Sequence, residues 1–383
     1  MKNPFRNKFI ILFFTIIVLF CMGELSVRII DAFRGHNFFS NAHRDKLIIN
    51  YKSANPIPFR TFGPKFYEIK DGVKYISSTH GELYPLIKSE NTFRIVCFGG
   101  STTRNQWTYE KYKLHYPLVL QELLKKKYPE KNIEVINVGY DAYSTPHFLI
   151  LLELDVISWS PDLVIISENN NDISASYWVN FSFDYSNKYS LEKYNIPDFT
   201  KQFTTINTLF RWSSFYWFIK EKIDKLNLSS TLSNQKKKTS MGNEPPKVSQ
   251  YIFRRNLLNF YYISQNWNIP VLYASQPRKS NTQPSDFMPS KLDPGLLVYA
   301  TLSEKAAHHK FFNNIIKEVA TNTRSYFLNN DSLLGGDEKY FIDAFHYSKI
   351  GIEKLAHNYF DYIVAENIIK KERDTNVKTN NNF

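Results

Sequence analysis

Two cysteines in 383 residues are too few for a disulfide framework. Cys21 lies in an N-terminal apolar run and Cys97 in a β-prone run, so a bond between them is not expected. The chain has no Cys/His spacing suited to a metal and no glycine-rich loop that could cradle a phosphate. Neither a metal nor another cofactor is therefore expected. No internal repeat is evident. Basic residues exceed acidic ones, for a net charge of +12, but they are scattered, with only small lysine clusters at 125–127 and 236–238. Zinc-finger spacing, an RNA-binding signature and a strong basic helix are all missing, so a nucleic-acid partner would rest on charge alone and is not expected. The charge does suit anionic lipid headgroups or acidic glycans. What the chain has in quantity is apolar matter: 43% hydrophobic and 16% aromatic residues, enough to bury one large core or two ordinary ones.

Lys2, Arg6 and Lys8 precede an apolar run over residues 9–22, interrupted only by Thr15. Such a run behind positive charge is a secretory signal or a membrane anchor. It is short for a span, which needs about 20 residues, but reaches Ile30 if Glu24 and Arg28 lie at the interface. Cleavage after Gly23 would use Cys21 and Gly23 as its small residues; an Ala-x-Ala site is absent, and bulky Phe20 disfavours lipoprotein processing at Cys21. The expectation is an uncleaved single-pass anchor over residues 1–30, with the amino terminus cytoplasmic and the rest of the chain extracytoplasmic. The flanking charges and the lack of an amphipathic period argue against a buried helix of a soluble protein.

Residues 31–91 mix Pro56, Pro58 and Pro64 with aromatics and read as a linker and a small irregular or β-containing region. From residue 92 to 366 apolar strand-like runs alternate with helical spacing. Strands are expected at 93–98, 133–138, 163–167, 270–274 and 326–328, and helices at 116–128, 145–158, 251–265, 303–321 and 350–366. Thr145 fits an N-cap with Pro146 in the first turn, and Pro129 stops the helix before it. Alternation of this kind implies parallel βαβ units with right-handed crossovers. An insertion at about 177–248 breaks the pattern. It carries aromatic-rich helical text over 209–226, then a polar run over 229–247 with little to bury. Residues 277–294 read as a surface loop, and the polar tail 367–383 as disordered.

One stretch organises the rest: residues 93–103, Phe-Arg-Ile-Val-Cys-Phe-Gly-Gly-Ser-Thr-Thr. A serine just past a strand's carboxyl end sits where open α/β sheets place ligands. By itself Ser101 reads as a turn residue. Acyl transfer at a serine requires a base, a group that orients the base, and donors for the oxyanion. Three further segments fall at suitable places: Gly139 after the second strand, residues 168–172 (Glu-Asn-Asn-Asn-Asp) after the third, and residues 343–346 (Asp-Ala-Phe-His) before the last helix. In Asp-x-x-His a tight turn lets the carboxylate hold one imidazole nitrogen while the other faces the serine. Each residue has an ordinary reading. His346 or Asp343 could cap the last helix, Gly139 could simply end a strand, and Asn171 and Asp172 could form a turn. Their common placement and order argue against that coincidence. His115 and His147 are alternative bases. Neither has a carboxylate at that spacing, although Glu110 or Asp141 could approach in space.

These residues resemble the SGNH, or GDSL-like, hydrolase superfamily. Gly99-Gly100-Ser101-Thr102-Thr103 is similar to its nucleophile block, Asn137-Val138-Gly139 to its glycine block, Asn169-Asn170-Asn171-Asp172 to its Gly-x-Asn-Asp block, and Asp343-Ala344-Phe345-His346 to its Asp-x-x-His block. The resemblance spans residues 93–366 apart from the insertion. It implies a three-layer, flavodoxin-like α/β fold with a parallel sheet behind the N-terminal transmembrane helix. It further implies Ser101 as nucleophile, His346 as base and Asp343 as its orienting carboxylate. The backbone N–H groups of Ser101 and Gly139 and the amide of Asn171 would form the oxyanion hole, with Asn170 as the alternative to Asn171. Gly99 and Gly100 would let an acyl group approach the backbone. Asn169 departs from the family's glycine; asparagine tolerates left-handed backbone better than most residues, so the turn could survive. The expected activity is hydrolysis or transfer of an O-acyl group on an envelope glycan or lipid. The rival is a non-catalytic envelope protein that binds glycan or assists polysaccharide assembly; Asn169, the aromatic insertion and the basic charge suit it.

Overall fold

A computed structural model describes residues 4–41, 59–60, 62–177, 181–189, 209–210, 212–220, 222–223, 241–280, 282 and 300–370. Most of the expected 277–294 loop, the polar run 229–240 and the tail beyond 370 lie outside the described residues. The chain divides into two units. One comprises residues 1–56, 189–238 and 293–296, and the other residues 57–188, 239–292 and 297–383.

The first unit is built on α1 (Pro4–Phe33). Its stretch Lys8–Phe33 is the one helix among the described residues that is long and apolar enough to cross a membrane, with a mean hydropathy of 2.5.

The second unit opens with a three-stranded antiparallel sheet, β1 (Tyr67–Lys70), β2 (Val73–Ser77) and β3 (Leu83–Pro85). The main sheet follows: β4 (Thr92–Gly99), β5 (Asn132–Asn137), β6 (Leu163–Ser167), β7 (Val271–Ala274) and β8 (Tyr326–Leu328), in the order β5-β4-β6-β7-β8 and parallel throughout. Its helices are α2 (Ser101–Arg104), α3 (Gln106–Tyr112), α4 (Tyr116–Lys127), α5 (Thr145–Leu154), α6 (Asn170–Ser176), α7 (Lys247–Asn266), α8 (Leu302–Thr323), α9 (Asn330–Leu334) and α10 (Lys349–Ala365). The three-layer α/β expectation holds, and every expected strand and long helix forms within a few residues of its expected limits.

All eight residues of β4 are buried, as befits a strand covered on both faces. Successive side chains point to opposite faces. Ile95 and Cys97 join Leu120 and Leu124 of α4 and Leu355 and Tyr359 of α10. Phe98 turns the other way, edge-on to Phe148 of α5 and Phe260 of α7. Because β5 and β6 flank β4 on opposite sides, the strand order reverses at β4, the point at whose carboxyl end open α/β sheets place ligands.

Three local differences have physical causes. The short helices α2 and α3 were not expected after Ser101, since a four-residue turn leaves no periodic signal. The helix expected over 145–158 ends at Leu154 and gives way to a tighter turn over Val156–Trp159. Helix α7 starts inside the expected insertion, at Lys247, where Pro246 holds the N-cap at φ −53°.

Arg94 is fully buried at the start of β4. Its Nε donates to Glu134 Oε2 at 2.6 Å, and its Nη atoms donate to the carbonyls of Trp159 at 2.5 Å and Pro85 at 2.7 Å. One cation thus joins β4, β5, the end of β3 and the tight turn over Val156–Trp159. Arg94→Met would leave Glu134 buried without its partner and should cost about 3–5 kcal/mol. The check is the free energy of urea unfolding. A change below about 1 kcal/mol would exclude this network as a main tie of the sheet's amino-terminal edge.

Candidate active site

Ser101 is the first residue of α2, directly beyond the carboxyl end of β4. His346 and Asp343 lie on a tight loop just ahead of α10. The loop is closed by the Ile342 N–H donating to the His346 carbonyl at 2.8 Å, and by a bridge between Phe341 and Tyr347. His346 Nε2 is 2.8 Å from Ser101 Oγ, and His346 Nδ1 is 2.6 Å from Asp343 Oδ2. The other Asp343 oxygen accepts the backbone N–H groups of Phe345 at 2.9 Å and His346 at 2.8 Å. Burial alone would raise the Asp343 carboxyl; the His346 side chain and these N–H groups outweigh it and hold the group below the usual carboxylate range. The site opens to solvent, since His346 and Asp343 keep 13% and 15% of their side-chain surface.

The alternative bases are engaged elsewhere. His115 is the N-cap of α4: its Nδ1 accepts from the Leu118 N–H, and its Nε2 pairs with Glu82 at 3.0 Å. Glu82, rather than Glu110, is therefore the carboxylate that reaches it. His147 is buried in a capping box with Ser144 and stacks on Tyr143, and burial pushes its pKa down to about 3. Asp141 pairs with Arg104.

Gly139 as an oxyanion donor needs correction. Its N–H donates to Asn137 Oδ1 at 2.9 Å and is spent there. What Gly139 supplies is space, because a Cβ would lie 2.7 Å from Thr103 Cβ and from the Arg104 nitrogen. Gly100 also differs from expectation. A Cβ on it would collide with Asn171 Nδ2 and Glu168 Oε2, so protein atoms occupy the room that an acyl group was expected to use.

Of the two candidate asparagines, Asn171 is the one whose side chain borders the nucleophile's segment. Its Nδ2 donates one hydrogen to the Tyr143 carbonyl at 2.8 Å and lies against Gly100; an amide nitrogen carries a second hydrogen. The Asn170 backbone N–H donates to Gln276 Oε1 at 3.0 Å. Asn169 does not adopt left-handed backbone: its φ is −147°. Its side chain is buried, with Nδ2 donating to Asn313 Oδ1 at 2.7 Å. A side-chain lock replaces the expected conformational tolerance.

Sequence reasoning missed four residues here. Glu168 is buried, and its two oxygens accept the Gly100 N–H at 2.9 Å and the Asn171 N–H at 2.7 Å. Gln276 receives N–H groups from Asn169 and Asn170 and donates to Thr102 Oγ1 at 3.0 Å. Asn313 holds Gln276 from the other side, its Oδ1 accepting the Gln276 N–H and its Nδ2 donating to the Gln276 carbonyl. Trp107 packs edge-to-face on His346 with ring centroids 4.3 Å apart and stays 39% exposed. A signal existed for Gln276, which follows β7 at the same sheet edge. None existed for Asn313, which lies mid-helix.

No family model matches the chain, and no curated protein matches it. Among solved structures it is similar to an acetylxylan esterase from Geobacillus stearothermophilus, at 16% identity and TM-score 0.41, covering 71% of this chain and 94% of that one. A catalytic mutant of that esterase gives 15% identity and TM-score 0.42, over 72% and 95% of the two chains. A GDSL-like lipase from Bacteroides thetaiotaomicron gives 13% identity and TM-score 0.38, over 72% and 88%. Likenesses this distant carry no weight for chemistry, which rests on the residues themselves.

Burial pushes Glu168 up from 4.5 to about 8 and its neighbour Asp172 up to about 6, and it lowers Lys188, whose Nζ donates to the Asn171 carbonyl, to about 8. A carboxyl raised on folding holds its proton more tightly in the native state. Its stabilising contribution is whole below pH 4.5 and drains away as the pH climbs towards 8. Glu168→Gln keeps the shape but not the titration. The variant has one acceptor oxygen instead of two and should be less stable at pH 5, with the gap to the parent narrowing steadily by pH 8. Unfolding midpoints in guanidinium across that range test this; a gap independent of pH would refute the assignment.

Proposed function

We propose that the chain is a serine-dependent acyl-ester hydrolase of SGNH type. One observation carries this reading, the unbroken hydrogen-bonded chain Ser101 Oγ–His346–Asp343. Ser101 Oγ attacks the ester carbonyl carbon while His346 Nε2 accepts the serine proton, and Asp343 holds the imidazole in the tautomer that leaves Nε2 able to do so. The C–O bond to the alcohol then breaks, and His346 returns the proton to the departing oxygen. Water, deprotonated by the same nitrogen, then attacks the acyl carbon; the bond to Ser101 Oγ breaks, the acid leaves, and His346 returns the proton to Ser101 Oγ. The oxyanion is held by the Ser101 N–H and the remaining amide hydrogen of Asn171, on two segments that Glu168 ties together through the backbone N–H groups of Gly100 and Asn171. No cofactor enters these steps. A second hydroxyl in place of water would make the reaction an O-acyl transfer.

The finer reading is that the acyl group sits on a glycan or lipid of the cell envelope. A membrane-crossing α1 with Lys2, Arg6 and Lys8 ahead of it supports an extracytoplasmic catalytic unit. Trp107, half exposed beside His346, offers a ring on which a sugar could stack. Of the three features that suit the non-catalytic rival, Asn169 has a partner in Asn313, which supports an intact turn; the aromatic insertion and the basic charge suit either reading.

Purified protein should turn over an aryl acetate and take up a fluorophosphonate label. Ser101→Ala should abolish both, and Asp343→Asn should lower kcat by about four orders of magnitude with little change in thermal stability. A parent protein that neither turns over nor labels would return the balance to the glycan-binding alternative.

A further inference from the structure

The first unit contains a contact that the catalytic reading leaves unexplained. Residues 213–220, some 190 positions downstream of Glu24 in α1, fold against that helix. Glu24 of α1 accepts the Ser213 hydroxyl at 2.8 Å and the backbone N–H groups of Ser214 at 3.0 Å and Phe215 at 2.9 Å. Ser213 Oγ in turn accepts the Tyr216 N–H at 3.0 Å. One carboxylate and one hydroxyl thus satisfy the opening N–H groups of a short helix, groups that are costly to leave bare in a water-poor setting. Arg28, one turn along α1, pairs with Glu24 at 2.7 Å and donates to the Trp212 carbonyl at 2.8 Å. Around these polar atoms, the Phe20 ring meets those of Phe210, Trp212 and Phe215 at 5.7–6.1 Å. Gly23 lies under Phe215, where a Cβ would come within 2.8 Å of the ring.

The position of this clasp along α1 is informative. A bilayer core about 30 Å thick takes about 20 helical residues. Counted from Lys8, the first charge before the apolar run, the far boundary falls at Arg28. The residues that grip the downstream segment, Phe20 to Arg28, therefore occupy the far end of the span. There Glu24 and Arg28 have their charges paired with each other and with backbone. Apart from Lys222, the segment's exposed side chains are apolar: Leu209 is 65% exposed, Trp212 57% and Ile223 49%. Aromatic residues with one wet edge favour the headgroup layer.

We propose that residues 209–210, 212–220 and 222–223 form an aromatic collar, clasped to α1 through Glu24, which lies where the hydrocarbon core of a phospholipid bilayer meets the headgroup layer on the side away from the amino terminus. The collar explains why Glu24, Arg28 and Gly23 interrupt an apolar helix. It lengthens a short apolar run into a stable anchor and fixes its depth. It also requires α1 to be retained, because cleavage after Gly23 would remove Phe20 and leave Phe215 without its seat.

The test uses the full chain, expressed in bacterial membranes and reconstituted into vesicles of phosphatidylcholine and phosphatidylglycerol. Intact mass should show α1 still present; a mature chain beginning at Glu24 would overturn the proposal. In vesicles whose lipids carry bromine high on the acyl chains, tryptophan fluorescence should be quenched. Most of that quenching should vanish in the double variant Trp212→Phe, Trp217→Phe. Equal quenching of parent and variant would also overturn it. Circular dichroism establishes that the variant is folded, and none of these readouts depends on esterase activity.

Discussion

One buried acidic side chain, Glu168, holds two strand ends together, and the site depends on it. The register of β4 against β6 sets Gly99 beside Ser167, which brings Gly100 level with Glu168. Glu168 then accepts one N–H from each segment, at the start of α2 and at the start of α6. Both helices begin where the carboxylate satisfies them, so the serine on one and the amide of Asn171 on the other are set at a fixed spacing. The missing Cβ of Gly100 is what allows the approach. The constraint is costly in isolation, since a buried acid must be compensated by hydrogen bonds or keep its proton.

The second layer behind the site is built from neutral amides. Gln276 reaches the nucleophile's helix through Thr102 and the β6 end through Asn169 and Asn170, while Asn313 clamps Gln276 by both its backbone groups. Such a network holds geometry with little dependence on pH. It also accounts for Asn169: a position that a glycine could fill by flexibility is here filled by a side chain with a dedicated partner. A polar core of this kind is worth having only if its members are paired, because an orphaned buried amide costs about 1–3 kcal/mol. Donors set in place before reaction are what electrostatic stabilisation of an oxyanion requires.

The same physics recurs in the other unit. Glu24 on α1 does for the helix at 214–220 what Glu168 does for α2 and α6: it supplies an acceptor to N–H groups that helical geometry leaves unpaired. In one case the result is a rigid site for chemistry, in the other a clasp between an apolar helix and an aromatic segment far along the chain.

Much of this protein was legible in the sequence. Strand period and helical spacing are local properties, so the alternation from β4 to α10 and the apolar α1 could be read directly. The Asp-x-x-His turn was equally local, since three residues suffice to fold Asp343 back on His346. The segments bearing Ser101, Asn171 and His346 could be set at strand and helix ends for the same reason. Only the tertiary structure decided which atoms meet there. Glu168 looked like one more residue of a turn until the strand register brought it to Gly100. The Gly139 N–H looked available until Asn137 took it. Asn313 and the clasp at Glu24 depend on contacts between residues far apart in the chain, and no local periodicity encodes such partners. Composition and spacing determined what kinds of elements form; the packing of one element on another determined which polar groups are spent in holding the fold and which are left for a substrate.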